Sequence, residues 1–334
     1  MPGHICFLEA EAHPPAALPE TVPPYPLTWT TDTLQERDFR YPLDAACRAE
    51  LAAVGASLAR DPLPALVLEP EMFELPACAA FMARVRAGLD GGSGVALLEG
   101  FPLEELTLEQ ATGVYWVLAS LLGRPVAVKW NGLMVYDVKD IGLAPGNGVR
   151  ASLTNAELGF HTDSQFAHCP PEYITLLCIN PALEGGQSAL VNWHAVYDAL
   201  RREDPHLAAR GFRHFLFDRQ REHPPGAPEV MSRPVFKLVG DRLAVCYYAR
   251  VIRDGYALAG ETMDGETSAF LDAVERLVAD PALRRDFHFE RGQIQIINNA
   301  FIGHARTNFR DDPARPRHLL RLWLRNHGRI GFDG

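Results

Sequence analysis

Two patterns of apolar positions divide the chain, and they meet near residue 125. Upstream, apolar residues recur at helical spacing. The run from Leu43-Asp44-Ala45-Ala46 to Ala59 is rich in strong helix formers and stops before Pro62 and Pro64, which predicts a helix over about 43–60. Phe81, Val85 and Leu89 stand four apart and predict a second over about 74–89, closed by Gly91-Gly92. Thr107 predicts the N-cap of a third, with Glu109 in its first turn, Leu122 near its end and Gly123 just beyond. Between the last two, Val95-Ala96-Leu97-Leu98 reads as a short buried strand closed by Gly100 and Pro102.

From residue 134 onward the pattern changes to short apolar runs, at 134–137, 173–179, 188–192, 212–217, 234–239, 243–248, 293–298 and 319–324. Turn residues such as Gly185-Gly186 and Gly240-Asp241 separate many of them. Two helical stretches interrupt, at about 194–209 and 266–279. Strand–helix alternation is not sustained, and there is no P-loop and no G-x-G-x-x-G after a strand, so a doubly wound parallel sheet is disfavoured. The expected fold is mainly β with flanking helices, built on a jelly-roll or cupin-like core. Pro14, Pro15, Pro19, Pro23, Pro24 and Pro26 make residues 1–30 an extended arm or irregular strand, because proline removes backbone donors and blocks helix. Residues 31–334 then form one domain, with a helical flank over about 40–125 and a β core over about 130–330.

Composition narrows the function. Hydrophobic residues are 47% and charged residues 22% of the 334, as in ordinary globular proteins. A formal net charge of −10 argues against nucleic acid as a partner, since phosphate contacts need clustered Lys and Arg. Cys6, Cys47, Cys78, Cys169, Cys178 and Cys246 form no C-x-x-C pair and no disulfide framework, and read as small buried hydrophobes of a reducing compartment. No apolar run reaches the ~20 residues that span a bilayer. The first residues carry Glu9 and Glu11 and lack the basic start and apolar core of a secretion signal. A cytoplasmic protein without a membrane partner is expected.

The chemistry centres on Phe160-His161-Thr162-Asp163. Residues two apart on a strand share a face, so His161 and Asp163 can reach one ion. His304 follows the strand-like run Ile294–Asn299 and is the best third ligand, at a strand end beside the site. Two imidazoles and a carboxylate form the facial triad of non-haem Fe(II) oxygenases. A His-x-Asp step is common by chance, and His168, His194 and His206 read as ordinary hydrogen-bonded or surface histidines. The C-terminal run adds weight: Arg317 and Arg321 sit four apart in an apolar strand-like segment, on one face. A buried guanidinium needs an anion, and its planar fork suits a carboxylate. Ser188, after Gly185-Gly186-Gln187, offers a hydroxyl at a strand start.

Taken together, these motifs resemble the taurine dioxygenase and clavaminate synthase-like family of Fe(II)/2-oxoglutarate-dependent oxygenases. The matching pieces are Gly159–Asp163, Gly185–Ser188, Asn298–Thr307 and Arg317–Leu324, with weaker echoes at Gly94–Gly100 and Leu122–Pro125, so that the likeness covers roughly 90–325. It implies a double-stranded β-helix with a helical N-terminal flank. It implies Fe(II) held by His161, Asp163 and His304, with 2-oxoglutarate and O₂ as co-substrates. Arg317 then anchors the distal carboxylate of 2-oxoglutarate with Ser188 as helper, and Arg321 stands near both co-substrate and substrate. The implied reaction hydroxylates an unactivated C–H bond of a small polar substrate, a free or carrier-bound amino acid or related small acid, releasing succinate and CO₂. Asp163 keeps the carboxylate that halogenating relatives lose. Ser152–Glu157 departs from the taurine-binding pattern, so taurine itself is not implied. Candidate substrate contacts are Asn131, Asn155, Glu157, Arg250 and Arg306, with a surface ion pair as the competing role for Arg250 and a brace for His304 as that for Arg306. Desaturation or epoxidation by the same family, a cupin-like zinc or manganese hydrolase or isomerase, and a binding module compete with this reading. A carrier protein or a second copy of the chain are the candidate macromolecular partners.

Overall fold

The computed structural model describes residues 15, 17–144, 149–240 and 242–332; Cys6, Pro14 and Asp241 lie outside them. The three predicted N-terminal helices are α1 (Ala45–Arg60), α2 (Pro76–Gly91) and α3 (Leu108–Ser120). Their starts follow local chemistry. The Asp44 carboxylate accepts the Cys47 N–H, Pro76 opens α2, and Thr107 and Gln110 form a reciprocal capping box.

These helices cover one face of a seven-stranded sheet. It contains β1 (Arg40–Pro42), β2 (Val95–Glu99), β3 (Pro125–Val126), β4 (Tyr136–Val138), β6 (Tyr173–Asn180), β14 (Ile294–Asn298) and β17 (His318–Leu324). The order is β1-β2-β14-β6-β17-β3, with β4 also on β17, and only β1 and β2 run parallel. A second, antiparallel sheet holds β5 (Leu158–His161), β8 (Ser188–Asn192), β13 (Arg284–Phe287) and β15 (Ile302–Arg306) in the order β13-β8-β15-β5. Short pairs complete the strands: β7 (Glu184–Gly185) with β16 (Phe309–Arg310), β9 (His214–Asp218) with β10 (Val230–Pro234), and β11 (Phe236–Val239) with β12 (Arg242–Val245).

Strand alternation decides which side chains meet the site. On β17, Leu320, Leu322 and Leu324 pack under the helices, whereas Leu319 and Trp323 join the core between the sheets. Arg321 therefore shares the inner face. On β15, Ile302 belongs to that inner core and brings His304 and Arg306 to the same side; on β8, Leu190 does so for Ser188. Gly303 points the other way, where a Cβ would lie 2.6 Å from Trp193 and 2.8 Å from Val191.

Several elements differ from expectation. The helical stretch at 194–209 is two helices, α4 (Trp193–Glu203) and α5 (Pro205–Arg210), because Asp204 caps the second and Pro205 begins it. The apolar run 243–248 gives way to α6 (Ala249–Ala259), which the pattern did not mark, and α7 (Gly265–Ala279) follows. Strands β13 and β15, short and mixed in polarity, carry no such apolar run, whereas β5 falls where the surroundings of His161 fit a strand or loop edge. The α-helices hold more residues than the strands, so the helical share exceeds a mainly β chain. Residues 17–30 form no helix or strand, yet they are packed. Tyr197 Oη donates to Pro19 O (3.1 Å), Asn192 Nδ2 to Leu27 O (2.9 Å), and buried Trp29 donates to Ser93 O (2.7 Å). No described helix is long and apolar enough to cross a membrane.

Gly303→Ala is expected to destabilise the fold by about 1–3 kcal/mol, because Trp193 and Val191 leave no room for a methyl group. Urea unfolding of the variant against the parent protein measures this.

Candidate active site

His161 ends β5 and His304 lies in the middle of β15, and the two are direct cross-strand partners. Their rings stand 4.1 Å apart, centroid to centroid. His304 is thus inside a strand rather than at a strand end. Asp163 lies beyond the end of β5, in the turn that follows, so a shared strand face does not bring it to His161. It arrives by the turn instead. Asp163 Oδ1 is 3.2 Å from His161 Nε2 and 3.6 Å from His304 Nε2. Ligands at ~2.0–2.2 Å from one ion and at right angles are about 3 Å apart, so these separations suit a shared metal. Among the described residues, His161, Asp163 and His304 form the cluster that could hold an ion. His161 Nδ1 donates to Gly159 O (3.0 Å), which fixes the tautomer and leaves Nε2 as a ligand atom. Neither ring nitrogen of buried His304 has a hydrogen-bond partner. Burial, and then His161, pushes the His304 imidazole well below its ordinary pKa, which keeps it neutral as a ligand must be.

The two oxygens of Asp163 have separate surroundings. Oδ2 accepts from Trp323 Nε1 (2.7 Å) and pairs with Arg321 Nη1 (3.1 Å), so Oδ1 alone faces the histidines. Burial pushes the Asp163 carboxyl up, but Arg321, with both histidines, overrides it and holds the group well below the usual carboxylate range. The turn itself is tied down by residues that sequence reasoning did not assign. Asn299 accepts the Asp163 N–H (2.8 Å) and donates to Asp163 O (3.0 Å) and Pro171 O (3.1 Å). Thr162 donates its N–H to Tyr247 O (2.9 Å), and its hydroxyl accepts the Tyr247 N–H (3.1 Å). Arg233, 1% exposed, donates to Gln165 O (2.7 Å) and Ala167 O (2.5 Å). Trp323 could have been found from its two-residue step after Arg321. Asn299 is 136 residues from Asp163 and leaves no local signal.

A second cluster is cationic. Arg306, Arg317 and Arg321 are 6%, 4% and 5% exposed. Burial, then Arg306 and other neighbours, pushes the Arg317 guanidinium down to about 9, so it stays charged at neutral pH. Arg317 lies over the Phe309 ring (5.1 Å) and under Gly186, where a Cβ would come within 3.3 Å of Nε. Its Nη1 has no partner, nor has Arg321 Nε. Ser188 is buried two residues beyond Gly186, register-paired with Arg306. The residues proposed to hold a carboxylate therefore share one corner.

The substrate candidates scatter more widely. A cavity of about 600 Å³ opens onto His161, Asp163, Arg321 and Trp323. Of the five candidates, only Arg250 borders it, 3.6 Å from Asp254. Asn131 is exposed in the turn closed by Gly132 and caps the Leu133 N–H (3.2 Å). Asn155 is exposed, and Glu157 borders a different cavity of about 590 Å³ on the outer side of the small sheet. The register shift between His304 and Arg306 accompanies this divergence of the segment before β5. Arg306 is spent on backbone, donating to Thr154 O (3.0 Å), Ala156 O and Thr307 O (3.2 Å), as a brace would.

Comparison with known proteins agrees with this geometry. The family model described as "Taurine catabolism dioxygenase TauD, TfdA family" matches residues 61–323. FR-33289 synthase of Streptomyces rubellomurinus (strain ATCC 31215) is 28% identical over 293 residues, 86% of this chain and 85% of that protein. Uridine-5'-phosphate dioxygenase of a Streptomyces species is 35% identical over 173 residues, 50% of this chain and 61% of its own. Among solved structures, asparagine oxygenase in complex with Fe(II), 2S,3S-3-hydroxyasparagine and succinate superposes with a TM-score of 0.66 at 18% identity, covering 86% of this chain and 93% of that one. The non-haem iron oxygenase OrfP, in complex with Fe and alpha-ketoglutaric acid, gives 0.61 at 15% identity, with 86% and 94% covered. These two likenesses speak to the fold. The chain belongs to the taurine catabolism dioxygenase TauD, TfdA family and is an Fe(II)/2-oxoglutarate-dependent dioxygenase.

Proposed function

We propose that the chain hydroxylates an unactivated C–H bond of a small polar substrate, with His161, Asp163 and His304 as iron ligands and Arg317, Ser188 and Arg321 around 2-oxoglutarate. The observation that carries this reading is charge. Three buried guanidinium groups meet one buried ligand carboxylate, Asp163, whose second oxygen Arg321 already takes. The remaining positive charge suits a dianion, and the unpartnered Nη1 of Arg317 suits its distal carboxylate. A zinc or manganese hydrolase would have no use for that corner. Residues 31–334 then act as one oxygenase domain whose two facing sheets form the double-stranded β-helix. The natural substrate is a free or carrier-bound amino acid or related small acid, handled in the cytoplasm.

When bound, iron and 2-oxoglutarate supply an oxidation in which O₂ and 2-oxoglutarate give succinate, CO₂ and one oxygen atom inserted into the C–H bond. The chain's own residues do the rest. Arg317 orients 2-oxoglutarate by its far end. Trp323 and Arg321 hold Asp163 Oδ2, so the carboxylate would offer iron only Oδ1. The cavity wall holds the target carbon and excludes water.

Three outcomes test this. Anaerobic Fe(II) and 2-oxoglutarate give the parent protein a visible charge-transfer band, whereas the His161→Ala/His304→Ala protein shows neither that band nor succinate release under O₂. Arg317→Ala weakens 2-oxoglutarate by ~10–100-fold, the loss of one charge-assisted contact, while Fe(II) affinity by calorimetry stays unchanged. Asn299→Ala weakens Fe(II) by roughly 10–100-fold, as loss of a ligand-orienting partner does elsewhere, read by metal titration.

A further inference from the structure

The helical flank holds two thiols in contact. Cys47 lies in the first turn of α1 and Cys78 in the first turn of α2, 31 residues apart along the chain. Their Sγ atoms are 2.8 Å apart, and both residues are 0% exposed. Cys78 Sγ also reaches Cys47 O at 3.4 Å.

Backbone contacts hold the pair in place. Asp44 accepts the Cys47 N–H (2.8 Å) at the start of α1. Leu75 gives α2 no side-chain cap of its own. Glu50 of α1 takes that part instead, accepting the Ala77 and Cys78 N–H groups, both at 2.8 Å. The first turn of α2 is thus capped from α1, which sets the spacing of the two cysteines. Behind them, Leu51, Val54 and Leu58 share one buried core with Phe81, Val85 and Leu89. Cys178 in β6 and Cys246 just after β12 belong to other cores. Position, not activation, therefore distinguishes the pair. Cys47, then burial and Glu50, hold the Cys78 thiol far above its ordinary pKa, so it rests protonated.

We propose that Cys47 and Cys78 are a redox site that closes to a disulfide within the native fold and joins α1 to α2. The oxidant is a small disulfide. One thiol attacks it and releases one small thiol. The other attacks the mixed disulfide so formed and releases the second. One S–S bond breaks and one forms, the two thiol protons leave on the released thiols, and the chain gives up two electrons to the oxidant. The new bond closes a loop around the whole 61–75 connection, where Leu63, Leu66, Val67 and Met72 are exposed and Leu68 is buried. Closing such a loop restricts the unfolded chain and so stabilises the folded one. The helices cover the face of the large sheet opposite Arg321 and Trp323, so the bond leaves the metal cluster untouched.

The test incubates the full chain without O₂ in excess hydroxyethyl disulfide until the thiol count is constant. Remaining thiols are alkylated under denaturing conditions, and the peptides are read by mass. The expected product is one cross-linked pair, Cys47 with Cys78, and the loss of these two of the six thiols from alkylation. The cross-linked chain is expected to melt about 3–6 °C higher than the same chain returned to thiols by dithiothreitol. Cys78→Ser is expected to give no cross-link. Alkylated Cys47 and Cys78, mixed disulfides that never close, or a cross-linked chain that melts no higher than the reduced one overturns the proposal. So does a cross-link from Cys47 to any other cysteine, in the parent or in Cys78→Ser, because the contact would then not select its partner.

Discussion

The site depends on the division of one carboxylate. Asp163 is 4% exposed, and a lone charge in such a place costs several kcal/mol. Arg321 and Trp323 take Oδ2, which meets that cost and would leave only Oδ1 to offer a metal. Oδ1 is left to face His161 and His304. Arg321 is engaged there, and Arg317 beside it keeps an unpartnered Nη1. The His–Asp cluster and the arginine corner are therefore one electrostatic arrangement, and β17 supplies the link: Arg317 just before its first residue, Arg321 and Trp323 on its inner face.

The three ligands are held by different means. His161 and His304 are fixed by the sheet, since a cross-strand pair has a set spacing. Asp163 has no ladder partner and would wander on a turn. Asn299 replaces the ladder with its side chain, accepting from and donating to the same residue as a neighbouring strand would. Asn299 also lies five residues before His304, in the connection between β14 and β15, so the turn that carries Asp163 is tied to the segment that leads into the strand of His304. Gly303 completes this arrangement from behind, because its missing side chain lets Trp193 and Val191 press on the strand next to His304.

The grouping of His161, Asp163 and His304 and the burial of the arginines were legible because each is a residue type with few cheap places to be buried. A His-x-Asp step, a distant histidine after an apolar run and two arginines in an apolar strand all break local expectation, and such breaks mark function. The outer helices were legible through caps and periodicity. What escaped was whatever depends on partners far along the chain: Asn299 with Asp163, Arg233 with Gln165, Thr162 with Tyr247. The substrate candidates fared least well for the same reason. Asn131, Asn155 and Glu157 lie in the segment before β5, whose path leads them to the surface. The cavity wall comes instead from β9, β10 and α6, and α6 followed an apolar run that read as strand.

The His–Asp cluster and the cavity wall thus belong to different layers of the fold. The ligands, Asn299 and the arginines sit in or beside the two facing sheets, where a change of register would displace every inner side chain. Asp218, Glu229 and Asp254 belong to the hairpin and helix outside that core, fastened by contacts such as Gly255 against β9 and the Arg150–Glu222 ion pair at 2.9 Å. Substitution on this outer layer would alter the charge of the cavity and leave the division of Asp163 untouched. Ser164 and Gln165 lie at the junction, belonging by sequence to the ligand turn and by exposure to the cavity. They are the place where a change of substrate preference has to respect the geometry of the metal.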